Sequence, residues 1–249
     1  MGIKISKKLL VPIFFLSIII IAELVFANVN ITYGLIIHLL TIFLALFSPF
    51  ILKSKEADLA QAFILVSLLR LINVGMPLEG ISIYYQFLVI YSLLMLSIAV
   101  YLYSKGIGLY DLGIRSKSFK VFLMFGILIG ILFGFTEYTI LGVTKVFPSF
   151  FLASLSVFFI LGLVEELIFR GVMISSLKMV DPFSAILLSS IAFGVMHSVW
   201  LEPLEYFFTF YAGLVLALIY YKTESLTIPV VTHIVINFIL FQAIPFKIL

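Results

Sequence analysis

Apolar residues do not alternate along this chain or recur at one helical face; they come in unbroken runs. Such runs cover residues 9–27, 31–52, 57–75, 81–104, 120–143, 150–178, 183–200, 204–222 and 226–245, with Pro, Gly and charged residues at the breaks. Most are close to the length, about 20 residues, that a helix needs to cross a hydrocarbon core about 30 Å thick. The pattern predicts an all-α, polytopic transmembrane helical bundle of eight to nine spans. One of the shorter runs is a candidate re-entrant segment. The first run resembles a signal peptide, because Lys4, Lys7 and Lys8 precede it and Val25-Phe26-Ala27 has the form of a cleavage site. Its apolar stretch is too long for that role, and it is read as an uncleaved span. Its removal would leave eight.

The basic residues set the expected orientation. With the N-terminus cytoplasmic, Lys4, Lys7, Lys8, Lys53, Lys55, Lys105, Arg115, Lys117, Lys120, Lys178 and Lys222 fall inside, and only Lys145 and Lys247 fall outside. That is the positive-inside bias, and it predicts a cytoplasmic N-terminus and an external C-terminus; the expected location is the plasma membrane, as an integral protein. Residues 105–120 are the most polar segment and are expected to lie at the membrane surface. They separate N-terminal helices (1–104) from a later core (105–249) within one integral membrane domain.

Composition changes the picture mainly by exclusion. The chain is 64% hydrophobic and 11% charged, with mean hydropathy +1.31, whereas soluble domains are about half apolar and about a quarter charged. A net charge of +3 is compatible with a nucleic-acid partner, but the cations are scattered between apolar runs and form no basic face. No nucleic-acid partner is expected. The absence of cysteine rules out disulfides, thiolate metal sites and a thiol nucleophile.

One stretch breaks the apolar pattern from within a span: Glu165-Glu166-Leu167-Ile168-Phe169-Arg170-Gly171. Three unpaired charges at a helix centre would oppose insertion by roughly 7 to 10 kcal/mol, at about 2.5 to 3.5 kcal/mol each. Glu166 and Arg170 stand at i and i+4 with the acid first, the favourable order for a helical ion pair. Glu165, about 100° around the helix, is left without a local cation and is the candidate general base. His197 ends the motif Phe193-Gly194-Val195-Met196-His197, and His233 and Asn237 share a helix face. Glu165 and His197 each lie 16 residues from Asp181, in the turn at Asp181-Pro182, so an antiparallel hairpin would bring them to similar depth. A plainer reading has the two acids and the Arg as a structural cluster, and each His as an interhelical hydrogen bonder. Glu23, His38, Arg70, Asn73 and Glu137 are read in that second way, as links between helices or as snorkelling groups.

Glu-Glu-x-x-x-Arg, Phe-x-x-x-His and His-x-x-x-Asn, in this order on late apolar spans, resemble the CAAX prenyl endopeptidase and bacteriocin-processing (abortive-infection) family of membrane proteins, the CPBP family. The resemblance covers about residues 105–245, including Asp111-Leu112-Gly113-Ile114-Arg115, which is similar to the family's segment before the core. It implies an intramembrane glutamate protease with its catalytic core in the last four spans. Glu165 and His197 would activate water, and His233 and Asn237 would stabilise the oxyanion. Glu166 and Arg170, with Phe193, would support the site. The implied substrate is a prenylated or membrane-anchored peptide or protein in the lipid bilayer, cleaved near its C-terminus. No cofactor is implied.

Zinc is the alternative, since Glu165, His197 and His233 make up a His₂Glu set. Against it stand the lack of a His-Glu-x-x-His scaffold and of any further acid evident beside the histidines. Two other function classes remain: a non-catalytic membrane scaffold or immunity protein, and an ion-coupled transporter, which the lack of an inverted repeat disfavours.

Overall fold

The computed structural model describes residues 7–114, 119–141, 151–198 and 203–244. Lys4, Arg115, Lys117, Lys145 and Lys247, which carry part of the predicted charge asymmetry, lie outside them. Every described element is helical, and the nine predicted runs all correspond to helices. Seven of these are long and apolar enough to cross a membrane, and two apolar helices, Pro182–Val195 and Thr227–Ala243, are shorter. The protein is an all-α integral membrane protein. By contacts the chain forms two compact units, Met1–Met76 with Val172–Leu214, and Pro77–Gly171 with Val215–Leu249.

The first unit begins with α1 (Lys7–Asn28) and α2 (Ile31–Phe47), joined by a tight turn. Asn30 caps α2 by accepting from the Tyr33 amide at 3.2 Å. The hairpin closes so tightly that a Cβ on Gly34 would come within 2.5 Å of Phe26 Cβ. α3 (Ser54–Gln61) and α4 (Ile64–Gly75) follow, and together they make one span. α1 packs against α2 and α3, and also against α9 (Pro182–Val195). α9 starts cleanly because Asp181 accepts from the Ser184 amide at 2.7 Å and Pro182 needs no donor partner. Bonds from the Ser184 side chain and backbone hold the Asp181 carboxyl below the usual carboxylate range.

The second unit is built around α11 (Thr227–Phe238), which carries His233 and Asn237. It packs on α6 (Phe119–Leu141) and α7 (Phe151–Glu166), while α5 (Ile83–Lys105) packs on α7. Glycine sets the closest approach. Cβ atoms on Gly126, Gly130 and Gly134 of α6 would come within 2.7 to 2.8 Å of Thr232, Val235 and Ile239 atoms. This small-residue face lets two backbones meet in lipid, where dispersion contacts replace the hydrophobic drive. Other α6 side chains, Phe122, Phe125, Leu128 and Leu132 among them, are exposed and apolar, as a lipid-facing surface requires.

The segment after α5 closes on the start of α11. Gly113, at φ +81°, gives its carbonyl to the Leu226 amide at 3.0 Å. Tyr220, on α10 (Pro203–Thr223), donates to the Leu112 carbonyl at 3.2 Å. Leu112 is fully buried. The polar segment expected at the surface is thus tied into this unit up to residue 114.

Regular α-helix was expected through residues 150–178. Instead α7 widens into a π-helix at Leu167–Ile174 before the short α8 (Ser175–Leu177). A second π-helix, Ile239–Ala243, continues α11. Bonds to i+5 rotate each residue by less than α spacing does, and such segments often mark functional positions.

Candidate active site

The second unit contains a buried polar cluster at the end of α7. Glu166 and Arg170 form the predicted pair, with Arg170 Nη1 donating to Glu166 Oε1 at 2.9 Å and both side chains fully buried. The same Glu166 oxygen accepts from His233 Nδ1 at 2.8 Å. A carboxylate has only acceptors to offer, so Nδ1 carries the hydrogen. His233 Nε2 then faces Glu165 Oε2 at 3.9 Å, a charge-range contact too long for a hydrogen bond. Asn237 is buried one turn further along α11.

The expectation that Glu165 has no partner is corrected here. Tyr91 on α5 donates its hydroxyl to Glu165 Oε1 at 2.7 Å, and its ring stacks on Phe87 at 5.9 Å between centroids. This bond fixes one carboxylate oxygen and leaves Oε2 toward His233. Sequence reasoning had no route to Tyr91, one of 12 tyrosines in apolar surroundings, since the contact joins positions 74 residues apart.

His197 belongs to the first unit. The chain has just left α9, and His197 Nδ1 contacts the Phe193 carbonyl at 2.9 Å. A carbonyl only accepts, so Nδ1 is again the protonated nitrogen and Nε2 presents a lone pair. The Phe193 ring lies 4.9 Å from the imidazole, so this residue supports His197 with both its backbone and its ring. Glu205 on α10 is buried and interacts electrostatically with His197. This corrects the expectation that no further acid stands near the histidines. The sequence signal was a single acid in the first turn of an apolar helix.

Both imidazoles thus hold Nδ1–H in a hydrogen bond, so Nε2 is the unprotonated nitrogen of each neutral ring, an arrangement equally suited to a base and to a metal ligand. Among the described residues, however, no group of three His, Asp or Glu side chains is disposed to hold a metal ion.

Residues 147–239 match the family model described as type II CAAX prenyl endopeptidase Rce1-like. This segment is Rce1-like. It contains Glu165, Glu166, Arg170, Phe193, His197, His233 and Asn237. Tyr91 lies outside it, although its hydroxyl bonds the first acid of the Rce1-like segment. No curated protein and no solved structure matches the chain.

Proposed function

We propose that the protein is an intramembrane endopeptidase that hydrolyses a peptide bond near the C-terminus of a prenylated or otherwise membrane-anchored substrate. The observation that carries this reading is the Rce1-like match, which takes in all three motifs. Further support comes from Glu165, whose Oε1 is held by Tyr91 while Oε2 remains available.

In the proposed reaction Glu165 and His197 activate water. The water oxygen bonds to the scissile carbonyl carbon, and its proton passes to Glu165. The tetrahedral oxyanion is stabilised by His233 and Asn237. Collapse breaks the C–N bond, and the leaving amine takes the proton that Glu165 received from the water, which returns the carboxylate. Donation from His233 Nε2 requires hydrogen on both ring nitrogens. We propose that no metal takes part.

Purified protein should cleave members of a panel of tetrapeptide-tailed substrates, prenylated and unprenylated, and the Glu165→Ala variant should not. Activity should survive chelation. Stoichiometric zinc in active protein, with activity lost on chelation and restored by the metal, would overturn the metal-free mechanism. Proton flux in proteoliposomes that disappears with Glu165→Ala, in the absence of cleavage, would favour a transporter.

The charge bias supports a cytoplasmic N-terminus. A reporter fused to the C-terminus should score as external. A cytoplasmic score would overturn the nine-span topology.

A further inference from the structure

Glu23 on α1, His38 on α2 and Arg70 on α4 lie far outside the Rce1-like segment. They form one buried hydrogen-bonded cluster that reaches the end of α9. Arg70 grips Glu23 with two parallel bonds, Nε to Oε1 at 2.7 Å and Nη2 to Oε2 at 2.8 Å. The same Nη2 bonds the Met196 carbonyl at 2.5 Å and Ser198 Oγ at 3.2 Å. Ser198 Oγ in turn donates to Glu23 Oε2. His38 Nε2 adds a bond to Glu23 Oε1 at 3.0 Å, and the Phe26 ring lies 4.7 Å from the Arg70 guanidinium. The Arg therefore holds the residues on both sides of His197.

This matters because the α-helical ladder ends before His197. Met196 is the C-cap of α9, and the last carbonyls of a helix have no intrahelical donor. In a buried position at membrane depth, water is a poor substitute. Arg70 supplies the donor, and Glu23 fixes the guanidinium plane from which it donates. The His197 imidazole then needs its backbone in place to keep Nδ1 on the Phe193 carbonyl and Nε2 available.

We propose that the Glu23–Arg70 pair is a positioning device for His197, so that the first helices of the chain set the tautomer and aim of a residue in the Rce1-like segment. The proposal rests on the reading of His197 as a water-activating group. It assigns Arg70 and Glu23 no contact with substrate.

The protein has three histidines, so their imidazole nitrogens can be followed individually by NMR of ¹⁵N-histidine-labelled protein in detergent, assigned by single His variants. The Arg70→Lys variant keeps the charge but loses the planar fork. Ser198→Ala removes one hydroxyl and no charge, and it decides the matter if Arg70→Lys does not fold. In either folded variant the His197 signals should move from a single Nδ1–H tautomer toward a mixture, while His233 keeps its native signals. In Arg70→Lys, kcat on the cleaved panel peptide should fall about 100-fold, the scale expected for a misplaced catalytic group. KM should stay within about twofold, as when only a transition-state contact is lost.

Unchanged His197 signals in both folded variants, with only His38 moved, would show that the cluster does no more than join helices and would overturn the proposal. If the His197 signals follow Arg70 but the wild-type protein cleaves no panel peptide, the positioning role stands and the peptidase reading fails.

Discussion

Replacing Glu165 by Gln is expected to reduce peptide hydrolysis by about 10⁴-fold, the upper end of what a general base contributes, while leaving the protein folded. Gln keeps the shape of the side chain, and its carbonyl oxygen can still accept the Tyr91 hydroxyl that now bonds Oε1 at 2.7 Å. What it loses is the ability to take a proton from water. The measurement is single-turnover cleavage of the best panel substrate, with thermal unfolding in detergent as the control for folding. Asn237→Ala serves as the comparison. Losing one oxyanion donor should cost about 100- to 1,000-fold, less than losing the base. Equal losses in the two variants, or near-native turnover by Glu165→Gln, would move the base to another residue.

Breaking the Glu166–Arg170 pair should act first on stability. Both side chains are fully buried and joined at 2.9 Å. Removing either partner leaves an uncompensated charge in a low-dielectric interior, which typically costs about 3 to 5 kcal/mol. Glu166→Gln and Arg170→Ala should each lower the yield of folded protein and the temperature of unfolding. Replacing both by apolar residues of similar volume should recover folding better than either single change. It should not recover turnover, because Glu166 Oε1 also accepts from His233 Nδ1 at 2.8 Å and thereby aims that ring. Single variants that fold normally and lose only turnover would place the pair in the chemistry itself.

The two experiments separate features that were legible in the chain from features that were not. The Glu166–Arg170 pair follows from local spacing, and four residues on one helix bring the groups together in almost any fold. The shared face of His233 and Asn237 is legible for the same reason. Tyr91 is different: nothing marks it among the aromatic residues of an apolar span, and its role exists only because α5 packs on α7. Arg70 was visible as a costly cation, but its bond to the Met196 carbonyl joins residues 126 positions apart. Periodicity does not report such a distance. Gly126, Gly130 and Gly134 were not singled out in the sequence, and only the packing shows that they bring α6 onto α11. The π-helix at Leu167–Ile174 left no trace in composition.

What the amino-acid sequence determined by itself was the all-helical, membrane-spanning class. A hydrocarbon layer demands long apolar runs whose backbone bonds are satisfied internally, and seven of the described helices are long and apolar enough to meet that demand. It also determined which polar residues were costly enough to need partners. The tertiary structure decided who those partners are: Tyr91 for Glu165, Glu166 for His233, and the Phe193 carbonyl for His197, with Arg70 holding the backbone on either side of it. The physical reason is that cost belongs to a residue and its solvent, and can be read along a chain. A hydrogen bond between helices belongs to two atoms and depends on which helices pack, and spacing along one helix does not report that.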